Sequence, residues 1–475
     1  MKTEVIVVGA GPTGLMLANE LTLAGVPVVV LEKQRTRSKQ SRAGALQPRT
    51  AEVLDLRGLL DPLLDGVPPG AEFGGHFAGL PVELDCRPWH TRHPYPVRIP
   101  QAKLEAFLEQ RLVDQGVPVL RGSEVSAIEQ DSDGVTVGDI RGSYLVACDG
   151  GHSTVRKLLG VPFPGTAGTM SSAVADLTLA SRSDTVPSTS EHFSRYFKSA
   201  DGYMTILHPM EGGLYRMIFG KVTGERPDRE TPVTAAEVDE ALQAVYGPET
   251  RLGELREASR FSDATRQVER YREGRVFFAG DAAHIHLPIG GQGVNLGIQD
   301  AVNLGWKLAA TVNGWAPEGL LDSYHTERHP VAARVLRTTR AQGMIVNPDQ
   351  NEGVAAVRDM FTELLQLPET NYYVSGLMSG LDTQYAGLGP RVIDLDLTTL
   401  DGPTRVSQLL QSGRGLLLSL DDTPRSIDRW SDRVDHVTAK ADDDTTTVLI
   451  RPDGYIAWSA TDDEPLDAAL TRWFG

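Results

Sequence analysis

Three short segments of the chain each combine glycines with one acidic residue in a pattern suited to holding phosphates and hydroxyls. The first is Gly9-Ala10-Gly11-Pro12-Thr13-Gly14, followed downstream by Glu32. In such a pattern the first glycine makes a tight turn and the second lets the backbone approach a diphosphate. The third lets a helix pack close to a strand. The negative charge is met by the unpaired N–H groups and the dipole of a helix N-terminus. Glu32 can accept hydrogen bonds from both hydroxyls of a ribose and would repel a 2′-phosphate, so the segment suits an unphosphorylated adenine dinucleotide. The alternative is a glycine turn in a nucleotide-free α/β protein.

The second segment is Asp149-Gly150-Gly151-His152-Ser153-Thr154-Val155-Arg156, after Ala147-Cys148. An Asp-Gly turn before a helix start sets an acid and backbone amides near phosphates. The same residues also read as an Asx turn with a capped helix. The third runs from Gly274 through Gly280-Asp281-Ala282-Ala283-His284 to Pro288-Ile289-Gly290-Gly291-Gln292-Gly293-Val294-Asn295. Asp281 at a strand end can hold a ribityl hydroxyl. The bare amides of the glycines at a helix N-terminus can stabilise negative charge on a reduced flavin ring.

Other constellations carry less. His284 with His286, and His325 with His329, have the spacing of metal pairs, but no acid or cysteine completes either set, and no metal is expected. No Gly-Xaa-Ser-Xaa-Gly elbow is present. Asp149 and Asp281 read as hydrogen-bond acceptors rather than as an acid/base dyad. Cys86 and Cys148 lie far apart and form no framework, as expected of buried thiols in a reducing cytoplasm.

The elements that must position these residues follow from pattern. Residues 5–8 are a β-branched apolar run, as in a buried parallel strand. A helix with apolar positions 17, 21 and 24 follows and ends at Gly25. A second strand, 26–31, is interrupted only by Pro27 and completes a β-α-β unit. Helices are expected over 49–60 and 101–115, with an irregular Gly/Pro-rich excursion between 68 and 100. From 171 the period changes to two, and 171–180, 190–199, 201–210 and 213–222 predict an antiparallel sheet. Leu214, Arg216 and Ile218 share one of its faces. Nucleotide-type pattern returns at 275–279, followed by a long helix with 298, 302, 305, 309 and 312 on one side. The tail from 389 has its own strands at 415–420, 446–450 and 455–460. The acidic pieces 441–444 and 462–464 are expected to be solvated turns.

Composition sets outer limits. The chain has 475 residues, 40 % hydrophobic and 23 % charged, with a net charge of −17. That length suggests about three structural units, and the acidic balance argues against nucleic acid as a partner. No apolar stretch approaches the ~20 residues of a membrane span, and no targeting segment is recognised, so a cytoplasmic protein is expected.

Taken together, the three motifs in this order resemble the single-component, class A flavoprotein monooxygenases of the para-hydroxybenzoate hydroxylase type, over the whole chain. Within that family the chain resembles the aromatic polyketide hydroxylases, and most of all the branch acting on rifamycin antibiotics. Ile99-Pro100-Gln101, 280–286, 320–325, 430–436 and 471–475 carry that likeness. The resemblance implies a Rossmann-like α/β FAD-binding domain over 1–70, 101–172 and 266–350. It is interrupted by an antiparallel-sheet substrate domain over 71–100 and 173–265. A helical linker over 351–388 and a thioredoxin-like C-terminal domain without redox cysteines over 389–475 would follow.

By that likeness FAD would be bound by Gly9, Gly11, Thr13, Gly14, Glu32, Lys33, Arg42, Gln101, Val125, Asp149, Arg156, Asp281, Gly293, Val294 and Asn295. Thr13, Glu32, Lys33 and Arg42 would take the AMP and diphosphate, Val125 the adenine, and Gln101 the ribityl or ring. Rifamycin-oxidising relatives can carry an arginine two places after the position of Arg42, where this chain has Gly44.

The family chemistry implies NADPH or NADH as a transient co-substrate, and O2. A C4a-hydroperoxyflavin would deliver one oxygen to an electron-rich ring. No side chain is assigned a catalytic role. Backbone at Pro288, Gly290 and Gly291 is expected beside the reacting face. Substrate is expected between flavin and sheet, near Phe73, Phe77, Arg195, Tyr203, Arg216, Phe261, Pro288 and Gly290. Arg216 on a solvent face is the alternative. The implied activity is oxidative inactivation of a rifamycin. The competing readings are a biosynthetic hydroxylase of an angucycline, anthracycline or tetracycline, and an antibiotic-binding flavoprotein without turnover. A monomer or homodimer with no nucleic-acid or membrane partner completes the expectation.

Overall fold

The computed structural model describes residues 1–37, 43–67, 73–221, 228, 230–346, 351–421, 423–441 and 446–475. The apolar run Val5–Val8 lies inside a six-stranded sheet. Its strands lie in the order Arg272–Glu273, Val276–Phe278, Tyr144–Ala147, Val5–Val8, Val28–Glu32, Val119–Arg121. All neighbours are parallel except the outermost pair Arg272–Glu273 and Val276–Phe278. The strands are apolar on both faces because both are covered, so no alternation survives in their sequences. Pro27 precedes the second strand instead of interrupting it.

The helix Pro12–Leu23 packs along the helix Gln292–Val312, and two glycines bring them close. A Cβ at Gly297 would stand 2.3 Å from the Thr13 hydroxyl, and one at Gly305 would stand 2.6 Å from the Glu20 Cβ. The helix expected over 101–115 is Gln101–Asp114. The one expected over 49–60 is split into Pro48–Asp55 and Leu60–Leu64 by a turn with Gly58 at φ 63°.

The chain leaves this unit and builds a second, antiparallel sheet, ordered Phe197–Ala200, Tyr203–Pro209, Tyr215–Lys221, Ser172–Ser181, Arg251–Phe261. Helix Ala235–Tyr246 covers one face, against Ala173, Ala175, Leu177, Tyr203, Leu207, Tyr215, Met217 and Phe219. The expected strand 190–199 is shorter: a 3-10 turn at Phe193–Tyr196 precedes Phe197–Ala200. The long strand Arg251–Phe261 and the covering helix were not expected from the sequence.

A third sheet, ordered Val434–Thr438, Gly415–Ser419, Val448–Ile450, Ile456–Ser459, forms the C-terminal unit with the helix Leu466–Phe474. Its first two strands are parallel and the other pairings antiparallel. Helices Glu352–Leu365 and Pro368–Ser379 join it to the first unit. Among the described residues no helix is long and apolar enough to cross a membrane.

Candidate active site

The parallel strands deliver all three motifs to one edge. Val5–Val8 ends at Gly9, Val28–Glu32 at Glu32, Tyr144–Ala147 just before Asp149, and Val276–Phe278 just before Gly280-Asp281. These are the carboxyl ends of the strands. Val5–Val8 has Val28–Glu32 on one side and Tyr144–Ala147 on the other, which makes a crevice at a topological switch point.

At two of its three glycines the first loop leaves no room for a side chain. A Cβ on Gly9 would lie 2.4 Å from the Cys148 carbonyl oxygen, and one on Gly14 would lie 2.0 Å from the Gly9 carbonyl oxygen. Gly11 differs, because a Cβ there meets nothing within 4 Å among the described residues. The helix Pro12–Leu23 starts at Gly11 with no side-chain cap, so its first amides have no intrahelical partner. Open space in front of bare amides is what a diphosphate requires. Glu32 Oε2 accepts from the Ala10 amide at 2.8 Å and Oε1 from the Gln34 amide at 2.8 Å. Each oxygen keeps a second lone pair for a ribose hydroxyl.

Asp149 Oδ2 accepts from the amides of Thr154 (2.7 Å) and Val155 (3.1 Å), while its Oδ1 is buried with no partner among the described residues. An orphaned buried carboxylate oxygen fits a site that awaits a polar ligand. Arg156 is directed at the neighbouring loops: it donates to the Ala282 carbonyl (2.9 Å) and the Gly151 carbonyl (2.8 Å) and lies over Phe163. It braces the second motif against the third. Thr13 is held between Gly280 and Gly297. Lys33 and Asp281 are exposed, and Val125 is buried in the first unit's core. Gln101 Oε1 accepts from the Ala43 amide at 3.1 Å, and its Nε2 donates to Glu105 at 2.8 Å. Arg42 lies outside the described residues.

The loop after Pro288 is pinned from two sides. Asn295 Oδ1 accepts from the Gln47 amide at 2.7 Å, and its Nδ2 donates to the Gly291 carbonyl at 2.7 Å. Gln47 Nε2 donates to the Gly290 carbonyl at 2.9 Å. Gly291 caps the helix Gln292–Val312 in the left-handed region without any side-chain cap, so the amides at Gly293 and Val294 face out of the helix start. Asn295 therefore shapes the loop with its side chain. The residues present fit FAD: an open diphosphate turn, an acid with spare lone pairs, an orphaned carboxylate oxygen and an uncapped helix start.

Sequence reasoning missed what holds the Gly280-Asp281 turn. Asp300, fully buried, accepts from the Gly280 amide (3.1 Å), His284 Nε2 (2.7 Å) and Arg328 Nε (2.7 Å). Arg328 also donates to Tyr385 Oη at 3.0 Å. The Arg328 and His284 partners hold the Asp300 carboxyl below the usual carboxylate range despite burial. His284 is thus engaged with Asp300, and His286 Nδ1 donates to the Leu287 carbonyl at 2.8 Å.

The uncovered face of the middle sheet carries Asp176, Ile206, His208, Arg216, Ile218 and Phe261. Cross-strand register pairs Asp176 with Arg216, Arg216 with His208 and Ile218 with Ile206. Phe261 and Phe197 pack against Leu287 and Ile289, so this face meets the glycine loop. Arg216 binds Asp176 through Nε (2.7 Å) and Nη2 (2.8 Å), and its Nη1 stands 4.0 Å from where a Cβ on Gly44 would be. It is buried, which removes the solvent-face alternative. No other atom of the described residues lies within 4 Å of a Cβ placed on Gly44. Burial, with Arg216 and Arg98 nearby, pushes His208 down to about 4.

Two substrate expectations need correction. Tyr203 points to the opposite face, under the helix Ala235–Tyr246, because its odd position puts it out of phase with Arg216. Phe77 is core: it is buried with Leu80, Leu84, Leu365 and Met378, its ring 6.1 Å from Phe361. Phe73 lies under Arg98, Arg195 and Pro288 are exposed, and Gly290 packs against Met378. Asp176, Phe197 and His208 were not named in advance. Alternation from Arg216 carries Asp176 and His208 once the register is known.

Comparison with known proteins agrees with this geometry. Residues 2–339 match the FAD binding domain family, and residues 386–475 match the aromatic-ring hydroxylase C-terminal family. A 12-dehydrotetracycline 5-monooxygenase/anhydrotetracycline 6-monooxygenase of Streptomyces rimosus is 44 % identical, covering 100 % of this chain and 99 % of that protein. A rifampicin monooxygenase of Streptomyces venezuelae is 43 % identical over 99 % of this chain and 98 % of its own. The solved structure of an anhydrotetracycline hydroxylase from Streptomyces rimosus superposes with a TM-score of 0.90 at 43 % identity, covering 100 % and 99 % of the two chains.

Proposed function

Because the chain belongs to the class A flavoprotein monooxygenases of aromatic rings, we propose that it hydroxylates a bulky aromatic polyketide, with NADPH or NADH as reductant. FAD, when bound, supplies reduction by the nicotinamide and transfer of one oxygen atom of O2 to an electron-rich ring, the other leaving as water. The observation that carries the substrate class is the sheet face opposite the glycine loop. It is apolar at Ile206, Ile218, Phe197 and Phe261, with one buried cation, Arg216, aimed at the space beside Gly44. A flat ring with an ionised phenol or enol oxygen matches that combination.

Each group then has a task. The amides after Gly11 bind the diphosphate and Glu32 takes the ribose. Asp281 takes a ribityl hydroxyl, with Asp300 and Arg328 holding its turn. The amides of Gly293 and Val294 face the flavin's polar edge, and Gln47 and Asn295 fix the loop that presents them. Phe197, Phe261, Leu287 and Ile289 exclude water from the reacting ring. Arg216 orients the ring and favours its ionised, electron-rich form, while Asp176 fixes the guanidinium. We also assign the C-terminal unit to a thioredoxin-like arrangement: a central strand with one parallel and one antiparallel neighbour, then an antiparallel edge strand and a closing helix. It has no cysteine, both thiols lying outside it.

The rifamycin and tetracycline readings rest on relatives of nearly equal identity, so the substrate panel must contain both. The test is oxidation of NAD(P)H by the FAD-loaded protein, which an aromatic polyketide must accelerate.

A further inference from the structure

The turn at 451–454 joins the strands Val448–Ile450 and Ile456–Ser459 of the C-terminal unit, and it enters a socket in the first unit. The socket lies between the helices Pro48–Asp55, Gln292–Val312 and Ser323–Ile345. The Asp453 carbonyl accepts from Arg49 Nη2 at 3.0 Å, and its Oδ2 accepts from Asn303 Nδ2 at 3.0 Å. The Pro452 carbonyl accepts from Arg57 Nη2 at 2.8 Å. Arg451 meets Glu327 with both Nη1 and Nη2 at 2.8 Å. All these side chains are buried.

The helices held here also carry the flavin loop. Arg49 lies two residues after Gln47, and Asn303 lies eight residues after Asn295 on the same helix. Gln47 and Asn295 meet at 2.7 Å where the loop is pinned. Buried ionic contacts are a weak source of stability, because desolvation opposes them, but they fix register well. We infer that Asp453 is a positioning residue for the flavin loop. It touches neither cofactor nor substrate. Acting through its carbonyl on Arg49, and through its carboxylate, which Arg451 and Asn303 share, it sets the offset of two helices so that Gln47 meets Asn295 before FAD arrives. The inference rests on the flavin reading and is independent of the substrate.

Coupling is reciprocal, so FAD binding must tighten the turn if the turn presets the FAD seat. Hydrogen–deuterium exchange of the full-length apoprotein and its FAD complex reads this without mutation. The expected result is slowing of at least tenfold at 450–456 together with 47–52 and 290–303, with no change at Val434–Thr438. A complex that forms with exchange at 450–456 unaltered overturns the inference. Failure of FAD to bind at all overturns the flavin reading and this inference with it.

Two variants give a second measurement. Asp453→Asn removes the carboxylate that Arg451 and Asn303 share, whereas Leu418→Ala weakens the C-terminal core and removes no polar contact of the socket. Fluorescence titration of folded apoprotein should show Asp453→Asn weakening FAD at least tenfold, with Leu418→Ala within twofold of the parent. Equal weakening by both, or by neither, contradicts a positioning role. Should Asp453→Asn not fold, the exchange experiment on the parent protein decides.

Discussion

Arg216 grips Asp176 with two parallel hydrogen bonds, of 2.7 and 2.8 Å, on the sheet face that meets the glycine loop. The pair fixes the guanidinium plane while Nη1 remains directed at the space beside Gly44. A lysine carries the same charge but cannot make the planar, two-pronged contact. Arg216→Lys is therefore expected to lower kcat/KM for the polyketide by about tenfold to a hundredfold, or roughly 1.4–2.7 kcal/mol. FAD content should be unchanged. Substrate-stimulated NAD(P)H oxidation, with the flavin absorbance of the same sample, checks both halves.

Gly11 and Gly14 should fail in different ways. A methyl at Gly14 would stand 2.0 Å from the Gly9 carbonyl oxygen, so Gly14→Ala must displace the loop or the helix and should express as unstable, flavin-free protein. A methyl at Gly11 meets no atom of the described residues within 4 Å, so Gly11→Ala should fold with the parent's melting temperature. It should nevertheless bind FAD at least tenfold more weakly, because the methyl occupies the diphosphate's approach. Thermal melts of the apoproteins with FAD titrations distinguish the two.

Two histidines make stability fall on acidification. Burial holds His76 at about 3 and His208 at about 4, both below 6.5. His76 accepts from the Gly79 amide through Nδ1 at 3.2 Å and stacks on Phe193, a setting for the neutral ring. The unfolded chain takes up these protons first. Their contribution is complete above about pH 6.5 and is lost as pH falls toward 4, at up to about 2.7 kcal/mol per pH unit for the pair. His208→Gln should remove about half of that slope in urea unfolding measured between pH 4.5 and 6.5.

Removal of Asp300 leaves Arg328 charged and buried beside Tyr385. Asp300→Ala is expected to cost about 3–5 kcal/mol, the usual consequence of breaking a buried pair from one side. Denaturant unfolding of the apoprotein measures it. The freed Gly280-Asp281 turn should also weaken FAD binding.

What was legible in the sequence depended on local spacing. The turn at Gly9, the acid at Glu32 and the helix Gln101–Asp114 are written in consecutive residues, and the fold reproduces them. The strand Arg251–Phe261 was hidden because Leu252, Leu255 and Ala258 face one side at intervals of three. Register shifts between Asp176 and Ser181 produce that spacing and erase the period of two. Buried arginines were hidden for another reason. Nothing in their local sequence marks Arg49, Arg328 and Arg451 as buried, and several of their partners are distant in sequence: Arg49 meets the Asp453 carbonyl and Arg451 meets Glu327. Tyr203 was misassigned because a candidate ring can be named without phase, whereas its face is settled only by register.

Hydroxylation of an aromatic polyketide is read out in the mass of the product. FAD-loaded protein with NADPH would be given 18O2 and a panel of a rifamycin, an anhydrotetracycline and an angucycline. At least one is expected to accelerate NADPH oxidation and to leave with a single 18O atom added. Slow oxidation that no member accelerates, with all 18O recovered as peroxide or water, would contradict it.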